Sequence, residues 1–142
     1  MQNSTAFLVQ NNLTYPTTRI NNRIFVLHKN IKNSIYINGK TPKKKREKEI
    51  EEFRQGKHKV LFATYSLVAE GLDIPILENL IMASPVKDER LVIQAIGRCQ
   101  RPSENKKMAK VYDLVDDVSI LDKFTRKRKS VYKKEGWDIN GI

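Results

Sequence analysis

The run Gln94-Ala95-Ile96-Gly97-Arg98-Cys99-Gln100-Arg101 sets two guanidinium groups three residues apart behind a glycine. On a helix or its last turn, positions i and i+3 share a side, so Arg98 and Arg101 project together. Two adjacent guanidinium ions repel unless an anion sits between them. Their planar donor forks match phosphate oxygens. Gly97 removes a side chain where something must come close, and Gln94 adds an amide one turn earlier. An R-x-x-R pair by itself is more often a solvated surface pair. With Gln94 and Gly97 at these offsets, after a strand, a nucleotide phosphate is the favoured ligand.

Two further constellations precede it. Ala63-Thr64 ends an apolar run, and Glu70-Gly71-Leu72-Asp73-Ile74-Pro75 follows six residues on. A hydroxyl, turn N–H groups and the Asp73 carboxylate suit a sugar-phosphate chain or a ribose. The alternative is an ordinary turn in which Asp73 caps the backbone. Asn38-Gly39-Lys40-Thr41-Pro42 ends another strand and opens a helix whose N–H groups and following Lys43–Arg46 attract phosphate. A plain helix start has equal weight there.

Strands and helices must alternate to present these groups. Thr5–Gln10, Ser34–Asn38, Lys59–Thr64, Leu77–Ala83 and Lys110–Val115 read as five strands. Ile20, Ile24, Leu27 and Ile31 form one helical face, predicting a helix over Thr17–Asn30. Thr41 is the expected N-cap and Pro42 the first residue of a helix that Gly56 closes, with Ile50, Phe53 and the stem of Arg46 inward. A short helix follows Tyr65. Asp88–Cys99 is a helix with Leu91, Val92, Ala95 and Ile96 inward, and Asp116–Lys134 a basic one. Such alternation argues for an α/β fold: a parallel sheet of about five or six strands with helices on both faces, ligands gathering at the strands' carboxyl ends.

The 142 residues fit one domain (1–142) with a basic helical tail over about 116–142. A formal net charge of +11 favours a polyanionic partner. The charge concentrates in Lys40–Lys59 and Arg126–Lys134; both also suit the solvated face of a helix. One cysteine, Cys99, excludes an internal disulfide, and the arginines beside it could lower its pKa, although a packed thiol is the favoured state. His28 and His58 stand apart, which argues against a metal site. Without a long apolar run or a basic leader, no membrane partner is expected, and the expected setting is the cytoplasm, the nucleus or, for a viral protein, the host interior.

The order and spacing of these segments resembles the C-terminal, second RecA-like lobe of superfamily 2 helicases, across nearly the whole chain. Thr5–Gln10 with Asn11, Asn12 and Leu13 looks like the motif that opens this lobe. Asn38–Thr41 and the helix to Phe53-Arg54-Gln55-Gly56 look like the "G-x-T … R … F … G" segment. Lys59–Pro75 and Gln94–Arg101 look like the fifth and sixth motifs, and Arg126–Trp137 is similar to tails of phage and viral helicase-like proteins. The resemblance implies a RecA-like three-layer fold that clamps ATP and Mg²⁺ against a first lobe. Arg98 and Arg101 match the fingers that reach the γ-phosphate, and Gln94 a polar organiser of that site. Gly71 and Asp73, with Gly97, match nucleotide-side positions. Gly39, Thr41, Lys43, Thr64 and Asn11 match contacts to the backbone of a bound strand.

Two departures qualify this. Glu70 stands where many DEAD-box RNA helicases carry arginine, which tilts the expected substrate, single-stranded or duplex nucleic acid, towards DNA. No G-x-x-x-x-G-K-[ST] loop and no D-E-x-[DH] motif occurs. The first, ATP-binding lobe is therefore expected in cis or in trans, with no hydrolysis by this lobe alone, and the start of β-structure so near Met1 suggests a cut just upstream of a lobe boundary. The rival expectation is a standalone, non-catalytic module that binds nucleic acid or regulates a helicase. A different nucleotide-binding α/β domain would need a glycine-rich loop after the first strand, where Gln10-Asn11-Asn12 has none.

Overall fold

The computed structural model describes residues 6–10, 28–69, 71–83, 86–104, 106–115 and 119–140. Asn11, Glu70 and most of the helix expected over Thr17–Asn30 lie outside the described residues; of that helix, residues 28–30 are helical.

The elements run β1 Ala6–Gln10, β2 Ser34–Ile37, α1 Lys43–Arg54, β3 Val60–Thr64, α2 Tyr65–Ala69, β4 Asn79–Met82, α3 Glu89–Cys99, β5 Lys110–Asp113 and α4 Ser119–Lys134. All five predicted strands form, the last four trimmed at their ends, in one sheet of order β2-β3-β1-β4-β5. Every neighbouring pair is parallel. β1 is central, so the chain leaving β3 crosses over it to reach β4. A parallel neighbour requires the intervening helix to run back along the sheet. The C-terminal ends of α1, α2 and α3 therefore gather at the edge where the strands begin. That edge, opposite the strand ends, holds Arg98 and Arg101.

β3 reads as a continuous apolar run because both its faces are covered: Leu61, Phe62, Ala63 and Thr64 are all buried. Leu61 and Ala63 join Ile35, Ile37, Leu80 and Met82 in one cluster with residues of all four helices, among them Phe53, Leu67, Ile96 and Tyr132. Each such aliphatic or aromatic side chain contributes roughly 1.5–3 kcal/mol when fully buried. On the other face Phe62 and Ala83 pack with Ile31, Tyr36, Val60 and Ile81. The His28 ring lies there, 6.0 Å from Tyr36 and 5.8 Å from Phe62.

The start of α1 differs from expectation. Pro42, not Thr41, is the N-cap: its carbonyl accepts from Arg46 at 2.9 Å, and no side chain caps the helix. The Thr41 hydroxyl turns back instead, accepting from the Asn38 N–H at 3.0 Å. The end follows expectation. Gly56, at φ +75°, donates to Phe53 while Lys57 donates to Glu52, each at 3.0 Å, a Schellman closure that needs the left-handed backbone glycine tolerates.

α4 runs Ser119–Lys134; residues 116–118, where it was expected to begin, lie outside the described residues. Trp137 then folds back, its N–H donating to the Tyr132 carbonyl at 3.0 Å and its ring 6.1 Å from that of Tyr132. The basic run within α4 is not wholly solvated. Arg128 is 2% exposed. Its Nε and Nη2 donate to the two Asp113 oxygens at 2.8 Å each, and the Tyr132 hydroxyl donates to Asp113 at 2.8 Å. Helical phase explains the correction: Thr125, Arg128, Val131 and Tyr132 share the buried stripe, so one arginine of the run must turn inward.

Candidate functional site

The loop after α2 is pinned from inside and gripped from outside. Leu72 and Ile74 are buried, while Gly71 before them and Asp73 between them face solvent. Gly71 has φ +113°, a conformation L side chains rarely adopt. Arg98 Nη1 donates to the Leu72 carbonyl at 3.1 Å. Arg101 pairs with the Asp73 carboxylate. From the end of α1, Arg54 Nε donates to the Asp73 carbonyl at 3.0 Å. Lys106 Nζ spans the Arg101 carbonyl at 2.7 Å and the Pro75 carbonyl at 3.3 Å. Four cations from three parts of the chain thus converge on Leu72–Pro75. Beside them lies a cleft of about 250 Å³ lined by Arg46, Arg54, Leu67 and Gly71–Asp73 among others.

The two arginines stand differently. Arg101 and Asp73 are 45% and 54% exposed. An ion pair in that setting is worth about 0–1 kcal/mol, so an incoming phosphate can replace the carboxylate at little cost. Arg98 is half-buried. Burial first, then the Arg101 charge, lowers its pKa, with Asp73 opposing; it remains a cation near neutrality. Its Nε is buried and finds no acceptor among the described residues. Gln94 is exposed one turn before Arg98, and Gly97 is exposed between them. A Cβ on Gly97 would meet nothing within 4 Å. Among the described residues, then, no packing contact demands glycine there.

The other expected contacts lie at the carboxyl edge, one five-residue strand or about 16 Å away. Thr64 is 1% exposed, its hydroxyl 3.1 Å from that of Ser66. Ser66 is the group that reaches the surface. Gly39 and Lys40 form an exposed turn braced by Asn38, whose side chain accepts from the Lys40 N–H at 2.9 Å. Lys43 is exposed, 3.9 Å from Glu47. The structure therefore joins Asp73, Gly71, Arg98 and Arg101 at one edge and sets Gly39, Thr41, Lys43 and Thr64 at the other.

The helicase conserved C-terminal domain family matches residues 8–103, a span holding both groups of residues. The chain belongs to that family. It is a superfamily 2 helicase C-terminal domain with viral and phage homologues. A protein named as a helicase in Sulfolobus islandicus filamentous virus is 33% identical over 75% of this chain and 18% of its own length. The ATP-dependent DNA helicase uvsW of Enterobacteria phage T4 is 29% identical over 75% of this chain and 21% of its own. The chain thus spans about a fifth of these relatives. The C-terminal domain of the DEAD-box protein Dbp5 superposes with a TM-score of 0.70 at 21% identity, covering 99% of this chain and 74% of that one. S. cerevisiae Dbp5 bound to RNA and ADP BeF3 gives 0.70 at 20%, covering 98% and 34%. These neighbours establish the RecA-like fold.

In this helicase domain Arg54 and Lys106 are the site residues that sequence reasoning missed. The Asp73 and Pro75 carbonyls that they reach lie 19 and 31 residues away, a distance that no local spacing signals, although Lys106 also donates to the nearby Arg101 carbonyl. Cys99 sits between the arginines but faces inward, fully buried, its thiol 3.7 Å from the Leu77 carbonyl. Burial pushes its pKa up to about 11 against the opposing charge of Lys106, so the arginines do not activate it. Native protein should resist alkylation of Cys99 by iodoacetamide at neutral pH, by about 100-fold or more relative to protein in urea, because the thiolate is the nucleophile. Equal rates would place the thiol at the surface.

Proposed function

We propose that this lobe is the second half of an ATP-dependent nucleic-acid translocase, contributing Arg98 and Arg101 to ATP and the strand-end surface to a bound single strand. One observation carries the reading: α3 delivers both arginines beside the Gly71–Asp73 turn, at the opposite edge from Gly39–Lys43 and Thr64. The guanidinium groups suit a triphosphate, since each carries a planar fork of donors and Arg101 has a weak, exchangeable partner. Among the described residues, no three His, Cys, Asp or Glu side chains group as metal ligands, so Mg²⁺ would be held by a first lobe, in cis or in trans. There it would neutralise the developing phosphate charge. This lobe's own residues bind and orient. Arg98 and Arg101 would hold the terminal phosphate, Gln94 and Gly97 would leave the approach polar and open, and Arg54 would fix the turn that Arg101 leaves. The rigid sheet between the two edges would let nucleotide state bias the grip on the strand.

DNA is the favoured substrate, on the Glu70–Pro75 form of the turn and on the relative named as a DNA helicase. ATP turnover by the two-lobed assembly, measured with single-stranded DNA and RNA side by side, tests the reading. Stimulation is expected with both, larger with DNA. Turnover indifferent to either polymer would leave a binding or regulatory module, the reading that the +11 charge alone would support.

A further inference from the structure

The outer face of α4 carries none of the residues assigned above to either edge. Lys123, Arg126, Lys127, Lys133 and Lys134 are all exposed, with Ser130 between them, while Thr125, Arg128, Val131 and Tyr132 point into the core. The spacing of three and four residues keeps the exposed cations in one stripe, a step per turn of about 5.4 Å and about 16 Å from Lys123 to Lys134. Two carboxylates oppose them. Asp122 lies 2.8 Å from Arg126, and Glu89 lies 3.4 Å from Lys127. These exposed pairs are weak, and the stripe keeps a cationic excess. A shallow groove of about 490 Å³, lined by Lys87, Asp88, Glu89, Arg90 and Lys127, continues it onto the start of α3.

We propose that this face of α4 holds the phosphate backbone of a nucleic-acid duplex, independently of the single-strand track. Place argues for independence. Lys127 meets Glu89 at the opposite end of α3 from Arg98, about 14 Å along that helix. α4 is tied to β5 through Arg128 and Asp113, and β5 is the sheet edge opposite β2. Four strand spacings, or about 19 Å, separate it from the Asn38–Lys43 turn. Chemistry argues for a duplex. Surfaces for single strands combine cations with aromatic platforms on which bases stack. Here Tyr132 is buried, while Phe124 and Trp137 are half-buried, so the stripe offers charge without stacking. A straight row of cations suits a rigid polyanion, and about 16 Å of duplex axis carries about nine phosphate charges. The proposal takes from the proposed function only that the partner is a nucleic acid.

Fluorescence anisotropy of the purified chain with a short blunt duplex, and with one of its strands, over a range of salt concentrations tests this. The fourfold variant K123Q/R126Q/K133Q/K134Q should reduce the magnitude of the duplex salt slope by about 3–4, near 0.9 for each phosphate no longer neutralised, and leave single-strand binding within about twofold. K43Q/K44Q, at the start of α1, should do the reverse. A thermal melt confirms folding, and K133Q/K134Q alone, expected to lower the slope by about 2, serves if the fourfold variant does not fold. An unchanged duplex slope in the α4 variants overturns the proposal; if K43Q/K44Q then weakens the single strand, the proposed function stands without it. Salt-dependent binding of neither probe by the unaltered chain overturns both.

Discussion

Replacing Arg98 and Arg101 together by alanine in the two-lobed assembly is expected to lower ATP turnover by on the order of 10³-fold or more. Single-strand affinity should stay within a few-fold, because the strand-end surface lies a strand's length away. The size follows from where charge develops in phosphoryl transfer. The equatorial oxygens gain stabilisation only from donors already aimed at them. On the proposed function Arg98, positioned by its bond to the Leu72 carbonyl, would be so aimed, and Arg101 would leave its Asp73 partner at the same turn. Lysine at either position should rescue poorly, since an ammonium lacks the planar fork. A coupled ATPase assay decides the matter. Turnover within about threefold of the unaltered enzyme would remove both residues from the nucleotide site.

A second large effect is expected far from that chemistry. Asp113→Ala leaves the Arg128 guanidinium, 2% exposed, buried opposite a missing carboxylate. Arginine cannot shed its proton to escape. Breaking a buried pair in this way costs about 3–5 kcal/mol, which for a domain of this size lowers Tm by roughly 10–20 °C. The Tyr132 hydroxyl loses an acceptor in the same step. Removing both charges is the informative contrast. D113L/R128M replaces the pair by apolar groups of similar volume and should recover most of the loss, since the desolvation of both ions disappears with them. Thermal or urea unfolding followed by circular dichroism measures both variants. A Tm for Asp113→Ala within about 3 °C of the parent would show that water reaches Arg128.

Arg54 shows how the site exceeds any local pattern. In the sequence it is one residue of a basic, thinly amphipathic helix. In the structure it closes the end of α1 against the Asp73 carbonyl, because the parallel topology returns α1 to the edge that the α2 turn and the end of α3 also reach. The same topology sets the expected binding residues at two edges. Thr64 and Gly39 lie at the strand ends, whereas the arginines come from the far end of a returning helix.

What the sequence determined by itself was local and periodic. Alternating apolar runs named the five strands, Gly56 closed α1, and the spacing of Gln94, Gly97, Arg98 and Arg101 marked one polar face at the end of α3. These follow from backbone geometry, which repeats every two residues in a strand and every 3.6 in a helix, so neighbours in sequence carry the information. Only the tertiary structure decided which cation of the α4 run turns inward, that Thr41 serves the Asn38 turn and not the helix, and that Arg54, Arg98, Arg101 and Lys106 meet on one loop. Those outcomes depend on strand order and on which helix end faces which edge. Chain segments 15 to 31 residues apart become neighbours there, and no local spacing records it.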